Sequence, residues 1–193
     1  MGAVEEASAE EVERLYRTNV FGLLNVTRAI LPYMRAQHAG RILNLSSVGG
    51  YRAAAGFGVY SSTKFAVEGL SEALHAELGP LGIKVTVVEP GYFRTDFLDA
   101  TSLSVSSRRI DDYNGTAGAV RERAVNLNHS QPGDPDRLAE VLVHLADAPK
   151  PPLRLPLGSD TVAAIRAKHA SDAAILSEWS TVAMSTDFRA TDG

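Results

Sequence analysis

The residues of this chain best suited to chemistry lie in the segment Tyr60-Ser61-Ser62-Thr63-Lys64, which begins thirteen residues after Ser47. Side chains four residues apart lie on one face of a helix. A helix over this segment therefore places the Lys64 ammonium beside the Tyr60 phenol, where its positive charge favours the phenolate and lowers the tyrosine pKa. The spacing predicts a tyrosine that gives and retakes a proton on a carbonyl or an alcohol.

A long helix is predicted before this segment. Ser8-Ala9-Glu10-Glu11 is a capping box, which marks a helix start. The apolar positions that follow recur at spacings of three and four, which is the helical period: Val12, Leu15, Tyr16, Leu23, Val26 and Ile30. Asn19 falls on that apolar row, while Gly22 and Pro32 predict a bend or a local loosening of the helix.

Three further elements position the tyrosine segment. The apolar run 41–45 predicts a buried strand that ends at Ser46-Ser47, and residues 60–78 follow a helical period up to the stop at Gly79-Pro80. Residues 83–88 are rich in β-branched side chains and predict a second strand. Strand, helix and strand in this order predict a parallel pair with a right-handed crossover.

The rest of the chain is less regular. Residues 90–118 carry many serines and little periodicity, which predicts a long loop of functional importance or high mobility. We predict helices at 119–127, 137–146 and 159–179, and an edge strand at 153–157, where proline is tolerated. The length predicts one domain over residues 1–193.

Composition excludes several classes of protein. The net charge of −4 offers no basic surface for nucleic acid, and no apolar stretch is long enough to span a bilayer. The chain has no cysteine and no signal-peptide pattern, and its five histidines lack metal-ligand spacing. We therefore expect a cytoplasmic protein without metal, nucleic-acid partner or membrane contact.

The order of four motifs adds a resemblance. Asn19 in a long helix, Leu43-Asn44-Leu45-Ser46-Ser47, Tyr60-x-x-x-Lys64 and Pro90-Gly91-x-x-x-Thr95 follow one another as in the short-chain dehydrogenase/reductase family. The chain resembles that family over nearly all of its length. The resemblance implies an α/β fold with a three-layer Rossmann-type parallel sheet. It also implies an NAD(P)-dependent oxidoreductase that interconverts an alcohol with a ketone or aldehyde.

The resemblance also implies roles for individual residues. Tyr60 would be the general acid/base, and Lys64 would lower the tyrosine pKa and bind the nicotinamide ribose. Ser47 would bind the substrate oxygen, and Asn19 would hold a water that relays protons. Hydride arrival leaves charge on the substrate oxygen, which a serine hydroxyl can stabilise and a tyrosine can neutralise.

The sequence contains only some of the residues that would bind the cofactor. Pro90, Gly91 and Thr95 would flank the nicotinamide of NAD or NADP. The glycine-rich strand, turn and helix with which family members begin have no counterpart here, because residues 56–61 lack the third glycine and do not directly follow a strand. We expect that roughly 80 residues of βαβ structure are missing, that strand 41–45 has an unpaired edge, and that this chain alone binds NAD(P) poorly.

Structural alternatives stay open at each position. Tyr60 and Lys64 could form an exposed helical pair, and Ser47 could cap the loop after its strand. Asn19 could satisfy backbone groups at a helix irregularity, and Thr95 could form an ordinary turn.

The alternative function is a non-catalytic truncated remnant that associates only through the helices carrying Asn19 and Tyr60. The resemblance implies a homo-oligomer in either case. A serine hydrolase using Ser47 is excluded, because no G-x-S-x-G elbow surrounds it.

Overall fold

The computed structural model describes residues 1–188 and has an α/β fold. Its helices are α1 (Ala9–Tyr16), α2 (Leu23–Gln37), α3 (Gly58–Leu78), α4 (Ala119–Leu127), α5 (Pro135–Asp147) and α6 (Ser159–Met184). Its strands are β1 (Gly40–Leu45), β2 (Ile83–Pro90) and β3 (Arg154–Leu157). The predicted helices and strands are all present, although α3 begins two residues earlier than expected and α6 runs five residues further.

The sheet is parallel, in the order β1-β2-β3. Asn44 of β1 lies opposite Val87 of β2, and Val87 in turn lies opposite Arg154 of β3. The α/β class and the parallel Rossmann-type sheet predicted from the sequence are confirmed. Within residues 1–188 the outer edge of β1 has no strand beside it, as expected, and Leu45 at its end is 56% exposed.

The core forms where the sheet meets its helices. Ile42, Ile83 and Val85 are buried in the sheet and contact the buried Leu78 at the end of α3. Four partly buried side chains of α2 and α3 complete the packing: Ile30, Leu31, Met34 and Leu74. β2 lies in the centre of the sheet, and its carboxyl end leads directly into the Pro90-Gly91 segment.

The long helical region at the N-terminus is continuous but irregular. The capping box is confirmed, because Ser8 Oγ accepts from Glu11 N at 3.2 Å and Glu11 Oε2 accepts from Ser8 N at 3.0 Å. A π-helical segment, Arg17–Gly22, joins α1 to α2, so the predicted loosening occurs at Gly22. The helix continues through Pro32, where no break occurs.

Residues 91–118 are more ordered than the sequence predicts. They contain two short 3-10 helices, Asp96–Leu98 and Asp111–Tyr113, and a π-helical turn. The segment is anchored to the N-terminus by Glu6, which accepts from Ile110 N at 3.0 Å and pairs with Arg121 at 2.6 Å. Among the helices of residues 1–188, none combines the length and the apolarity that a bilayer crossing requires.

Candidate active site

A cavity of about 360 Å³ opens at the carboxyl ends of β1 and β2. The side chains and backbone around it come from the π-helical segment, the end of β1, the start of α3 and the segment after β2. All seven residues predicted to act in catalysis or cofactor binding lie on its wall: Asn19, Ser47, Tyr60, Lys64, Pro90, Gly91 and Thr95. The fold therefore brings together groups that are up to 76 positions apart in the sequence, from Asn19 to Thr95.

Tyr60 and Lys64 occupy the first two turns of α3. The Lys64 Nζ lies 5.7 Å from the centre of the Tyr60 ring, so the two side chains share one helix face as predicted. Nζ also donates to the backbone oxygen of Leu45 at 2.9 Å. This bond ties α3 to the end of β1 and directs the ammonium towards the end of that strand.

The electrostatics of the pair differ from the sequence prediction. Burial raises the pKa of Tyr60, and the nearby Ser47 hydroxyl opposes that rise only in part. Burial likewise lowers the pKa of Lys64, while Glu68 opposes the change. The prediction of a lowered tyrosine pKa is thus wrong for this structure, because desolvation disfavours the phenolate more than its surroundings stabilise it.

Ser47 follows β1 in extended conformation, with φ of −171°. Its hydroxyl accepts from Gly49 N at 3.1 Å, so the predicted capping role is real. A Cβ added to Gly49 would lie 3.5 Å from Ser47 Oγ and 3.4 Å from Cε1 of Tyr60, so both side chains lie close to this glycine. The hydroxyl proton of Ser47 can still be donated to a group in the cavity.

Asn19 lies in the π-helical segment, facing α3. Its amide nitrogen donates to Thr63 Oγ1 at 2.9 Å, and that hydroxyl donates to the backbone oxygen of Tyr60 at 2.7 Å. The contact fixes the irregular segment against the tyrosine turn. Holding a relay water remains a prediction for Asn19.

The segment after β2 is held by its neighbours. Gly91 N donates to Leu157 O at 2.9 Å, and Tyr92 N donates to Asp160 Oδ2 at 2.8 Å. A side chain on Gly91 would collide with the Asp160 carboxylate, which explains why this position has no Cβ. Thr95 Oγ1 accepts from Phe97 N at 3.3 Å. This is the ordinary turn that the sequence allowed as the alternative role of Thr95.

Two aromatic rings that the sequence analysis did not select flank the tyrosine. The Phe97 ring centre lies 5.7 Å from that of Tyr60, and the Phe57 ring centre lies 6.2 Å from it. Both phenylalanines line the cavity. Their positions in loops without periodicity left no sequence signal for this role.

An ionic cluster lies one turn beyond Lys64 and consists of the buried Glu68 and Glu89, the partly buried Arg154 and the exposed Glu72. The Arg154 guanidinium pairs with Glu68, with Glu72 at 2.9 Å and with Glu89 at 3.4 Å. Burial raises the pKa of Glu68 to about 7, and burial also raises the pKa of Glu89. The spacing of Glu68 four residues after Lys64 was a signal for part of this cluster, but nothing in the sequence indicated its arginine.

Comparison with known proteins identifies the family of this chain. Residues 1–104 match the profile of the family described as short chain dehydrogenase. The 3-ketodihydrosphingosine reductase of Bacteroides thetaiotaomicron is 39% identical over 158 residues, which are 81% of this chain and 58% of that protein.

Solved structures also resemble this chain. The crystal structure of a short-chain dehydrogenase from Streptomyces avermitilis has a TM-score of 0.87 and 41% identity, over 96% of this chain and 66% of that one. A gluconate 5-dehydrogenase from Burkholderia cenocepacia J2315, in complex with NADP and tartrate, has a TM-score of 0.50 and 30% identity, over 51% of this chain and 39% of that one.

These likenesses extend over most of this chain but over less of its relatives. The chain spans 58% of the Bacteroides reductase and 66% of the Streptomyces dehydrogenase. The profile match nevertheless covers more than half of the 193 residues, including Asn19, Ser47, Tyr60, Lys64 and the Pro90-Gly91 turn. The resemblance seen in the sequence is confirmed, and the chain belongs to the short-chain dehydrogenase family.

Proposed function

We propose that this chain carries the catalytic and substrate-binding part of an NAD(P)-dependent oxidoreductase that interconverts an alcohol with a ketone or aldehyde. The observation that carries the proposal is the convergence of Ser47, Tyr60 and Lys64 on one cavity. The three groups supply a hydroxyl donor, a phenol and an ammonium around a space large enough for a reacting carbonyl. Membership of the short-chain dehydrogenase family supports the same reaction class.

In the proposed reaction Tyr60 is the proton donor to the substrate oxygen during reduction and the acceptor during oxidation. Burial raises the pKa of Tyr60, so the phenol is protonated at neutral pH and ready to donate. The Ser47 hydroxyl lies beside it and stabilises charge that develops on the same oxygen. Lys64 holds the turn against β1 through its bond to Leu45 O.

The residues around Lys64 fit the nicotinamide end of the cofactor. An ammonium has three donors, and one of them is directed to Leu45 O, so others can bind ribose hydroxyls. Pro90, Gly91 and Thr95 would border the nicotinamide ring on the opposite wall. NAD(P), when bound, supplies or accepts the hydride, which no side chain can provide.

The pyrophosphate end of the cofactor has no comparable site within residues 1–188. We therefore propose that the 193-residue chain binds NAD(P) weakly. Calorimetry with NADH and with NADPH tests this point, and micromolar affinity for either cofactor would contradict it. The NADP complex of the gluconate 5-dehydrogenase supports the choice of cofactor class.

Activity is tested at millimolar NADPH with a panel of ketones. We expect Tyr60→Phe to lower the rate by about 100-fold or more, because general acid/base catalysis contributes at least that factor. Tyr33→Phe is the matched control, since Tyr33 is 72% exposed on α2 and should leave the rate unchanged. A measurable rate that Tyr60→Phe does not reduce would remove the tyrosine from the mechanism.

The second candidate function, a non-catalytic module that pairs through its helices, is favoured by one observation. Phe21 of the π-helical segment, Val26 and Tyr33 of α2, and Phe65 of α3 are large apolar side chains that lie exposed. Such residues are usual at interfaces between copies. Light scattering that detects a dimer, together with no reduction of any ketone at millimolar NADPH, would favour this alternative.

A further inference from the structure

A second cavity, which we call the distal lobe, adjoins the candidate active site. Its volume is about 250 Å³. Four residues line both cavities: Asn19, Phe57, Tyr60 and Phe97. The tyrosine ring and its two flanking phenylalanines therefore lie where the two spaces meet.

The wall of the distal lobe is mainly apolar. Leu15 of α1, Val59 at the start of α3 and Leu103 of the loop after β2 contribute aliphatic side chains, and Phe57 and Phe97 contribute the aromatic ones. Apolar cavities of about 150 Å³ in protein cores bind benzene. The distal lobe is larger, so it can hold a chain or ring of more than six carbons.

Polar side chains also line the lobe: Asn19 and Tyr60 lie at its boundary with the first cavity, and the others come from α1 and the loop after β2, namely Glu11, Arg14, Ser102, Ser104 and Ser106. Arg14 donates to Ser104 Oγ at 3.2 Å, and the Glu11 carboxylate accepts from Ser107 N at 3.4 Å. These bonds join α1 to the loop after β2 and set the outer limit of the apolar space. An apolar group that grows from Tyr60 therefore gains contacts until it reaches these bonds.

We propose that the distal lobe binds an apolar arm of the substrate, so that the substrate class is a ketone or secondary alcohol with an aliphatic or aromatic arm on one side of the reacting carbon. The inference rests on the proposed function, because Tyr60 must contact the substrate oxygen for the arm to enter the lobe. Leu15 and Leu103 are then specificity-determining residues, placed on opposite elements around the arm.

The proposal is tested by the binding of methyl ketones of increasing length, from butanone to decanone, to the cofactor-free chain. Affinity is measured by ligand-observed NMR titration. We expect an increase of about fourfold for each added methylene until the lobe is filled, and a plateau beyond that length. This readout needs neither cofactor nor hydride transfer.

Leu103→Trp tests the location of the arm, because the larger side chain occupies the lobe without touching Ser47. It should flatten the length dependence and preserve the affinity for butanone. Val125→Trp is the matched control, since Val125 is exposed on α4 and lines neither cavity. Circular dichroism verifies that both variants fold, and Leu15→Ala offers a second probe that should shift the plateau towards longer ketones.

The possible outcomes separate this inference from the proposed function. Affinity that does not depend on arm length, or a length dependence that survives Leu103→Trp, overturns the assignment of the lobe even if Tyr60-dependent reduction is observed. Length-dependent binding that Leu103→Trp abolishes supports the lobe. If no variant or condition then gives ketone reduction, the proposed function fails while the binding site stands.

Discussion

Helix α3 carries two polar groups whose surroundings differ sharply. Tyr60 and Lys64 at its start face a cavity, and the Glu68 carboxylate one turn away partly opposes the lowering of the Lys64 pKa. Glu68 in the next turn lies in the ionic cluster, where Arg154 supplies a resident counter-charge. The comparison shows that the ionic cluster around Glu68 anchors this helix, which leaves Tyr60 and Lys64 available for chemistry.

Burial favours the neutral form of the ionisable side chains both at the start of α3 and in the ionic cluster. It raises the pKa of Tyr60 and lowers the pKa of Lys64, which favours the neutral form of each. It also raises the pKa of Glu68 and of Glu89, although the guanidinium opposes this change. The Glu68 carboxyl, whose pKa is raised to about 7, is therefore partly protonated near neutral pH beside the Arg154 guanidinium.

The largest expected effect comes from removing the cation of the cluster. Arg154→Met leaves two buried carboxylates, those of Glu68 and Glu89, without their partner. Breaking a buried ion pair on one side costs about 3–5 kcal/mol. We expect a loss of about 3 kcal/mol in the free energy of unfolding, measured with urea at pH 7.

The control for this change is Arg137→Met. Arg137 is 84% exposed and pairs with Asp134 at 3.6 Å, and exposed pairs contribute less than about 1 kcal/mol. If both substitutions destabilise the protein equally, the ionic cluster does not anchor α3, and the contrast between the start of the helix and its middle is lost.

The second effect is a dependence of stability on pH. The pKa of Glu68 is raised from 4.5 to about 7 by burial, so the folded state binds a proton that the unfolded state has released. The contribution of this group is therefore fully present below pH 4.5 and is lost as the pH rises through 7. The slope is at most about 1.4 kcal/mol per pH unit.

Glu68→Gln should flatten the stability profile between pH 4.5 and 7, measured by thermal unfolding at a series of pH values. Glu6→Gln provides a control with the opposite sign. Backbone bonds from Ile110 and Ala3 lower the pKa of Glu6 to about 2, so its stabilisation is lost as the pH falls from 4.5 towards 2. A Glu68→Gln profile parallel to that of the parent would show that Glu68 does not hold the proton.

The sequence predicts the anchored elements well because their signals are local. The capping box at Ser8, the apolar period of α3 and the β-branched run of β2 each lie within one short segment. Sequence order also suffices to bring Ser47 and Tyr60 to one cavity, because parallel strands end at the same edge of a sheet.

The ionic cluster and the tyrosine pKa could not be predicted in this way. Arg154 is 86 positions from Glu68, and only the register of β2 with β3, which puts Val87 opposite Arg154, brings the guanidinium to the carboxylates. The pKa of Tyr60 depends on how deeply the ring is buried and on where Lys64 points. Spacing in the sequence contains neither quantity.

The smallest expected effect concerns the hydrogen bonds that hold the first turn of α3, which carries Tyr60, against the π-helical segment. Thr63 is fully buried, and its hydroxyl accepts from Asn19 at 2.9 Å and donates to the Tyr60 backbone oxygen at 2.7 Å. Thr63→Val keeps the volume and removes the hydroxyl. We expect it to lower the free energy of unfolding by about 1 kcal/mol, the usual net value of a hydrogen bond, because the Asn19 amide loses its partner.

Ser62→Ala is the matched control, since Ser62 lies next to Thr63 on α3 but is exposed, and its bonds to Val59 O and from the Tyr16 hydroxyl compete with water. It should change stability by less than about 0.5 kcal/mol. A Thr63→Val loss as large as that of Arg154→Met would mean that the tyrosine turn is held as firmly as the ionic cluster. In that case the reactive end of α3 would owe its position to the Asn19 contact as much as to Arg154, and the irregular π-helical segment would be a second anchor of the site.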